Sequence, residues 1–315
     1  MSRAVLIAGP TATGKSALAL DLARAIGGVI VNADSMQVYK DLAVLTARPA
    51  AADLATAPHA LYGHVEGAET YSAGRFVREL ATVLSEAAER GSVPIIVGGT
   101  GLYFRAALVG LSEIPPVPDA VRRRWRARAD EIGPQALHQE LAARDPQTAP
   151  RLADTDRQRV VRALEVLEAT GRSISDWQRT PGRPLITLSQ SIPILLSGPR
   201  SALHARADAR FLSMLDAGAI EEVRALAALE RPPDAMVLRA VGVRPIARYI
   251  DGSISRASMI AEAQAETRQY IKRQETWFRK YMSEWNRVHF FESCAERAKF
   301  LSLLKTRVDA MLSRA

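Results

Sequence analysis

The stretch "AVLIAGPTATGKSALALDLARAI" (residues 4–26) sets the tightest limit on what this chain can become. A short apolar run ends in glycine. Gly9-Pro10-Thr11-Ala12-Thr13-Gly14-Lys15-Ser16 comes next, with the spacing G-x-x-x-x-G-K-[ST]. Leu18, Leu22 and Ile26 then recur at helical spacing, and Gly27-Gly28 stops that helix. The motif needs a strand before it and a helix after it, and both are here. Its glycines let successive N–H groups point inward, and the helix N-terminus adds partial positive charge. Lys15 carries a mobile full charge to the terminal phosphates, and the Ser16 hydroxyl can hold Mg²⁺. A phosphate chain is therefore expected to bind here, but the motif does not say whose.

The same alternation continues. "GVIVNA" (28–33) reads as a second buried strand, ending in Asp34-Ser35. A helix is expected after Ser72, through Phe76, Leu80, Val83 and Leu84. "VPIIV" (93–97) reads as a third strand, ending in Gly98-Gly99-Thr100. This pattern argues for an α/β fold with a parallel sheet. "IPPVP" (114–118) and "TPGRP" (180–184) then bracket a strand-free stretch with helical periods over 120–132, 134–143 and 156–170. The expected organisation is a P-loop parallel-sheet core (1–113 and 185–315) with a helical insertion domain (114–184). Residues 192–196 and "RVHFFES" (287–293) are expected to return to the sheet, with mostly helix between them.

The residues after the third strand constrain the chemistry. P-loop hydrolases place an aspartate after an apolar strand to hold Mg²⁺ and tune a water. Here that strand ends in Gly-Gly-Thr, and the Asp after a clean apolar strand is Asp34. Asn32 and Asn286 are the only asparagines, so the guanine-reading Asn-Lys-x-Asp motif is absent. A group transferase fits better than a switch GTPase. Ligands of open α/β sheets sit beyond the carboxyl ends of the strands, so Gly9, Asp34 and Thr100 are expected to converge. A carboxylate there can take or orient an acceptor's proton, and a threonine hydroxyl can hold a bridging oxygen as charge develops. Asp34 also reads as a turn or N-cap residue, and Thr100 as an N-cap for a helix over 102–109.

Composition narrows the partner. The formal charge is +8, with 42 Lys and Arg against 34 Asp and Glu, which favours a polyanion. One cysteine, Cys294, excludes an internal disulfide and a Cys-rich zinc site. The N-terminus enters a strand directly and no apolar run approaches a membrane span, so a soluble, cytoplasmic protein is expected. Residues 239–280 carry nine basic and four acidic side chains. Gln264, Arg268 and Lys272 share a helix face there, with Arg273, Tyr270, Trp277 and Phe278 close by, as suits RNA backbone contacts and base stacking. The same spacing also describes a solvated face over an aromatic core stripe. Five arginines fall within residues 122–128.

The ordered motifs "GPTATGKS" (9–16), "NADSMQVYKDL" (32–42), "TARP" (46–49), "YSAGRF" (71–76), "VGGTGLYFRAAL" (97–108), "DRQRVVRALEV" (156–166), "LHARADARFLSML" (203–215), "AVGVRPI" (240–246) and "TRQYIKRQETWF" (267–278) resemble the tRNA dimethylallyltransferase (tRNA isopentenyltransferase) family across nearly the whole chain. The resemblance implies transfer of a dimethylallyl group from dimethylallyl diphosphate to N6 of adenosine 37 in the tRNA anticodon loop, with Mg²⁺, by a monomer. It implies that Gly9, Pro10, Thr11, Ala12, Thr13, Gly14, Lys15 and Ser16 hold the diphosphate with Arg206 and Arg210, and that Asp34 and Thr100 are catalytic. It further implies tRNA contacts from Asp34, Ser35, Met36, Gln37, Thr100, Arg122, Gln158, Arg159, Val160, Val161, Arg162, Ala240, Val241, Gly242, Val243, Arg244, Pro245, Arg268, Lys272 and Arg273. Val243 and Pro245 stand where the family often has a tyrosine and a glutamine. Two other classes remain open on the residues alone: a P-loop kinase of a small molecule or nucleoside, and an RNA-binding protein that senses nucleotide.

Overall fold

The computed structural model describes residues 3–180 and 182–313, so Pro181 of "TPGRP" lies outside the described residues. The elements run β1 (Ala4–Ala8), α1 (Lys15–Ile26), β2 (Val29–Asn32), α2 (Ala51–Thr56), β3 (His59–Ala60), α3 (Ala73–Glu89), β4 (Pro94–Gly98), α4 (Gly101–Val109), α5 (Asp119–Arg144), α6 (Arg157–Thr170) and α7 (Ile174–Trp177). They continue with β5 (Ser191–Ser197), α8 (Arg200–Asp216), α9 (Ala219–Ala228), α10 (Val243–Ile250), α11 (Arg256–Tyr281), β6 (Asn286–His289) and α12 (Cys294–Ser313). The chain divides into two compact units, Met1–Leu108 with Leu185–Ala315, and Val109–Pro184.

The first unit is built on a six-stranded sheet in the order β3-β2-β4-β1-β5-β6, with every pair parallel. Side chains alternate across a strand, so neighbours in sequence serve opposite faces. Leu6 and Ile96 pack with Phe76, Leu80 and Phe104 on one face. Val5, Ile7, Ile95 and Ile194 pack with Leu18 and Leu22 of α1 and Leu304 and Val308 of α12 on the other. Both faces are covered, which is why the strands read as unbroken apolar runs. Two details differ from the sequence-based expectation. The two-residue β3 extends the sheet at one edge. The final strand covers Asn286–His289 rather than 287–293: Phe290 N–H makes the last bond to β5, at Ser197 O (2.8 Å), where β5 itself ends, and α12 opens at Cys294.

The second unit is helical. Trp125, Leu137, Leu141, Val160 and Leu164 form its core. Gly133, at φ 77° and ψ 170°, breaks α5 into two helical runs, in keeping with the separate periods at 120–132 and 134–143. The unit begins at residue 109 rather than 114. The reason is local: Gly110 and Leu111 lie against Gly182, so closely that a Cβ on Gly110 or Gly182 would overlap the opposing backbone.

Candidate active site

Strands β2, β4 and β1 are immediate neighbours, so the loops at their carboxyl ends lie side by side. Those loops carry Asp34, Gly99-Thr100 and the phosphate loop. Ala12 (φ 66°) and Gly14 (φ 82°) supply the left-handed turns that curl the phosphate loop. Thr13, 1% exposed, donates its hydroxyl to Pro10 O at 2.9 Å and braces the loop from inside. Ser16 is exposed on the first turn of α1.

Asp34 sits in a locked turn. Buried Asn32 accepts the Asp34 N–H at 2.8 Å and donates to Asp34 O and to Leu61 O, each at 2.9 Å. The Asp34 carboxylate accepts the Met36 N–H on Oδ1 at 2.9 Å. Oδ2 faces the next loop, 3.4 Å from where a Gly99 Cβ would stand. The two loops meet directly, since Thr100 N–H donates to Ala33 O at 3.1 Å. The Thr100 hydroxyl accepts the Ser35 N–H at 3.0 Å and lies 3.3 Å from Ser35 Oγ. Asp34 is therefore a turn residue through Oδ1, and its second oxygen lies beside the Gly-Gly-Thr loop.

Gln274 is the residue that sequence reasoning missed. It is 5% exposed, on α11. Its Oε1 accepts the Thr11 N–H at 3.0 Å and its Nε2 donates to Gly99 O at 3.0 Å. One amide thus ties the phosphate loop to the Gly-Gly-Thr loop. A Cβ on Gly99 would overlap Gln274 Nε2, so glycine is required at that contact. The available signal was a polar residue in the apolar row Ile271, Gln274, Phe278. One turn earlier, the Tyr270 hydroxyl meets the side chains of Thr100 and Gln274, and burial pushes its ionisation well above the ordinary phenol range.

Cations gather at the phosphate loop. Arg210 donates to the Thr11 hydroxyl. Arg206 packs its guanidinium over the Phe290 ring at 4.5 Å, with Nη2 3.9 Å from the position of a Gly14 Cβ. The Lys15 ammonium lies 3.3 Å from Pro10 O. Desolvation lowers it from 10.5 to about 8; Arg210 pushes the same way and Asp34 opposes. A lysine depressed in the folded state makes folding less favourable below about pH 8, and that cost is relieved as pH rises towards 10.5. Ligand binding runs the other way, because the free protein loses this cation through the same window. Affinity for inorganic diphosphate is expected to fall as pH passes about 8. Titration calorimetry between pH 7 and 9.5 checks this, and Lys15→Arg should flatten the profile.

The remaining predicted positions have varied surroundings. Gln37 donates to Thr46 O at 2.6 Å and Ala47 O at 3.1 Å, so its amide hydrogens hold a loop. Arg268 is paired with Asp208 at 2.9 Å. Lys272, Arg244 and Arg273 are exposed, whereas Ala240, Gly242, Val243 and Pro245 are buried, and Val241 is half-buried. In the second unit, Gln158 and Arg159 are exposed, Arg122 and Arg162 are half-buried, and Val160 and Val161 are turned into the core. Cys294 is exposed. Among the described residues, no helix is long and apolar enough to cross a membrane.

Comparison with known proteins agrees with this architecture. The family described as IPP transferase matches residues 37–281, and the family described as isopentenyl transferase matches residues 2–63. A tRNA dimethylallyltransferase of Azorhizobium caulinodans is 52% identical over 284 residues, spanning 90% of this chain and 91% of the relative. One from Methylobacterium sp. (strain 4-46) is 55% identical over 279 residues, spanning 88% and 90%. The solved tRNA isopentenylpyrophosphate transferase of Bacillus halodurans aligns with a TM-score of 0.69 at 28% identity over 99% of each chain. A eukaryotic dimethylallyltransferase acting on tRNA aligns with a TM-score of 0.79 at 25% identity, over 95% of this chain and 78% of its own. The family match covers more than half of the sequence and these relatives align with it nearly end to end: the chain belongs to the IPP transferase family of tRNA dimethylallyltransferases.

Proposed function

We propose that this protein transfers the dimethylallyl group of dimethylallyl diphosphate to N6 of adenosine 37 in the tRNA anticodon loop and releases diphosphate. The observation that carries the reading is the meeting of the phosphate loop, Asp34 and Thr100 on three adjacent strand ends, with Gln274 tying the phosphate loop to the Gly-Gly-Thr loop and Thr100 tying that loop to Ala33 and Ser35. No water-activating carboxylate is needed after β4, because the phosphates leave rather than being hydrolysed.

The bond from the allylic carbon to the diphosphate oxygen breaks, and a bond from that carbon to N6 forms. N6 gives up one proton. Asp34 Oδ1 is engaged by Met36 N–H, so Oδ2 is the oxygen free to take it. Negative charge grows on the departing diphosphate, where the loop N–H groups, Lys15, Arg206 and Arg210 stabilise it and the Thr100 hydroxyl contacts the bridging oxygen. Adenine N6 is a weak nucleophile, so holding the two substrates in line matters more than basicity. The acceptor base must be splayed out of the loop to reach the site.

Mg²⁺ fits this donor set. Among the described residues no cluster of three or more His, Cys, Asp or Glu is arranged to hold a metal. Mg²⁺ commonly takes few protein ligands beside substrate phosphates and water, and the exposed Ser16 hydroxyl would be one of them. Bound there, it would neutralise charge on the diphosphate. Exposed Lys272, Arg244 and Arg273 are proposed as contacts to the tRNA backbone. A cytoplasmic monomer goes with a soluble polynucleotide substrate.

Radiolabelled dimethylallyl diphosphate, incubated with Mg²⁺ and an undermodified tRNA carrying A36-A37, should label the RNA at position 37. Label that stays in the donor, or transfer of a phosphoryl group to a small acceptor, would refute the proposal.

A further inference from the structure

The Thr100 hydroxyl has one hydrogen and two lone pairs. Its backbone is pinned, because Thr100 N–H donates to Ala33 O at 3.1 Å. What stays adjustable is where the hydroxyl sends its hydrogen. One lone pair is taken by the Ser35 N–H at 3.0 Å. The hydrogen goes to Ser35 Oγ at 3.3 Å, beyond the usual range of about 2.5–3.0 Å for a bond between oxygens. That bond is weak and readily given up. The second lone pair is open to Tyr270, whose hydroxyl meets the side chains of both Thr100 and Gln274.

Gln274 anchors the other end of this network. Tyr270 and Gln274 stand one turn apart on one face of α11. The orientation of the Gln274 amide is fixed by its partners: Thr11 N–H can only donate to Oε1, and Gly99 O can only accept from Nε2. Nε2 has a second hydrogen, which the Tyr270 oxygen can accept. Burial, with the Asp34 charge adding to it, raises the Tyr270 ionisation, so the phenol keeps its own hydrogen and can pass it on.

Two polarities satisfy these groups. In the first, Thr100 donates to Tyr270 and Tyr270 donates to Gln274 Oε1. In the second, Gln274 Nε2 donates to Tyr270, Tyr270 donates to Thr100, and the Thr100 hydrogen points out of the network. Negative charge growing on the bridging oxygen of a departing diphosphate selects the second. That polarity alone fills both Thr100 lone pairs and leaves its hydrogen for the substrate, and hydrogen bonds in series polarise one another. We infer that Tyr270 is a positioning residue for prenyl transfer: its hydroxyl, oriented by Gln274, donates to Thr100 and turns the Thr100 hydrogen onto the bridging oxygen. The inference rests on Thr100 contacting that oxygen, as proposed above.

Tyr270→Phe removes the hydroxyl and keeps the half-buried ring, whose centre lies 5.7 Å from the Arg273 guanidinium. Prenyl transfer to an anticodon stem-loop RNA, in single turnover with both substrates saturating, should slow about tenfold, in line with one hydrogen bond. KM for each substrate and the thermal midpoint should change little. Thr100→Ala should be slower by about 10²–10³-fold. The double variant should be no slower than Thr100→Ala alone, because Tyr270 acts through a hydroxyl that is already gone. A Tyr270→Phe rate equal to wild type would overturn the inference. A faster rate would also overturn it, by showing that Tyr270 draws the Thr100 hydrogen away from the substrate. Penalties that multiply in the double variant would overturn it too, since Tyr270 would then act elsewhere. A wild-type rate in Thr100→Ala would remove the Thr100 contact and the inference with it. Wild-type protein that fails to prenylate the stem-loop would count against the proposed reaction itself.

Discussion

Asp34→Ala is expected to slow prenyl transfer by about 10²–10⁴-fold, the range typical of a lost acid–base group, with tRNA affinity nearly unchanged. The alanine removes two things at once. It deletes Oδ2, the oxygen proposed to take the N6 proton, and it deletes Oδ1, which holds the turn through Met36 N–H. Asp34→Asn separates the two. Its side-chain oxygen can still accept the Met36 N–H, but the amide cannot take a proton. If proton transfer is what matters, Asn should be nearly as slow as Ala in single-turnover assays at saturating RNA. If turn geometry is what matters, Asn should recover most of the rate. A wild-type rate in Asp34→Ala would remove this residue from the chemistry.

The legible parts of this protein are those whose signals are local. The phosphate loop declares itself because the strand, the glycines and the helix are contiguous from Ala4 to Ile26. Asp34 and Thr100 could be placed together because both come directly after buried strands, and parallel strands bring their carboxyl ends to one edge. The features that stayed hidden depend on partners far away in sequence. Spacing puts Arg268 on a face with Lys272 but cannot show that Asp208, on α8, neutralises it. The resemblance names Gln37 as a tRNA contact, but cannot show that its amide hydrogens go to Thr46 O and Ala47 O. Val160 and Val161 lie in a matched motif, but their side chains close the core of the helical unit. The two-residue β3 is too short to show any period.

Gln274 is the clearest case of a hidden residue, and its replacement carries the second large effect. Gln274→Leu keeps the size of the side chain and removes both of its hydrogen bonds. Thr11 N–H and Gly99 O lose their partner, at about 1–3 kcal/mol for each group that stays buried. Thermal denaturation should register that loss. A structural role alone would stop there. If the amide also sets the distance between the leaving group and the acceptor, kcat should fall about 10²-fold, since displacements near 1 Å can cost that much, while KM for each substrate changes far less. The KM values should hold because the proposed diphosphate contacts Lys15, Arg206 and Arg210 and the proposed RNA contacts of α11 remain. Gln274→Glu sharpens the comparison. It preserves the acceptor for Thr11 N–H and sets a carboxylate against Gly99 O, so the phosphate loop stays tied while the Gly-Gly-Thr loop is pushed away. Diphosphate binding should then survive in Gln274→Glu while prenyl transfer fails. A variant that loses stability but keeps kcat would show that the strut only holds the fold.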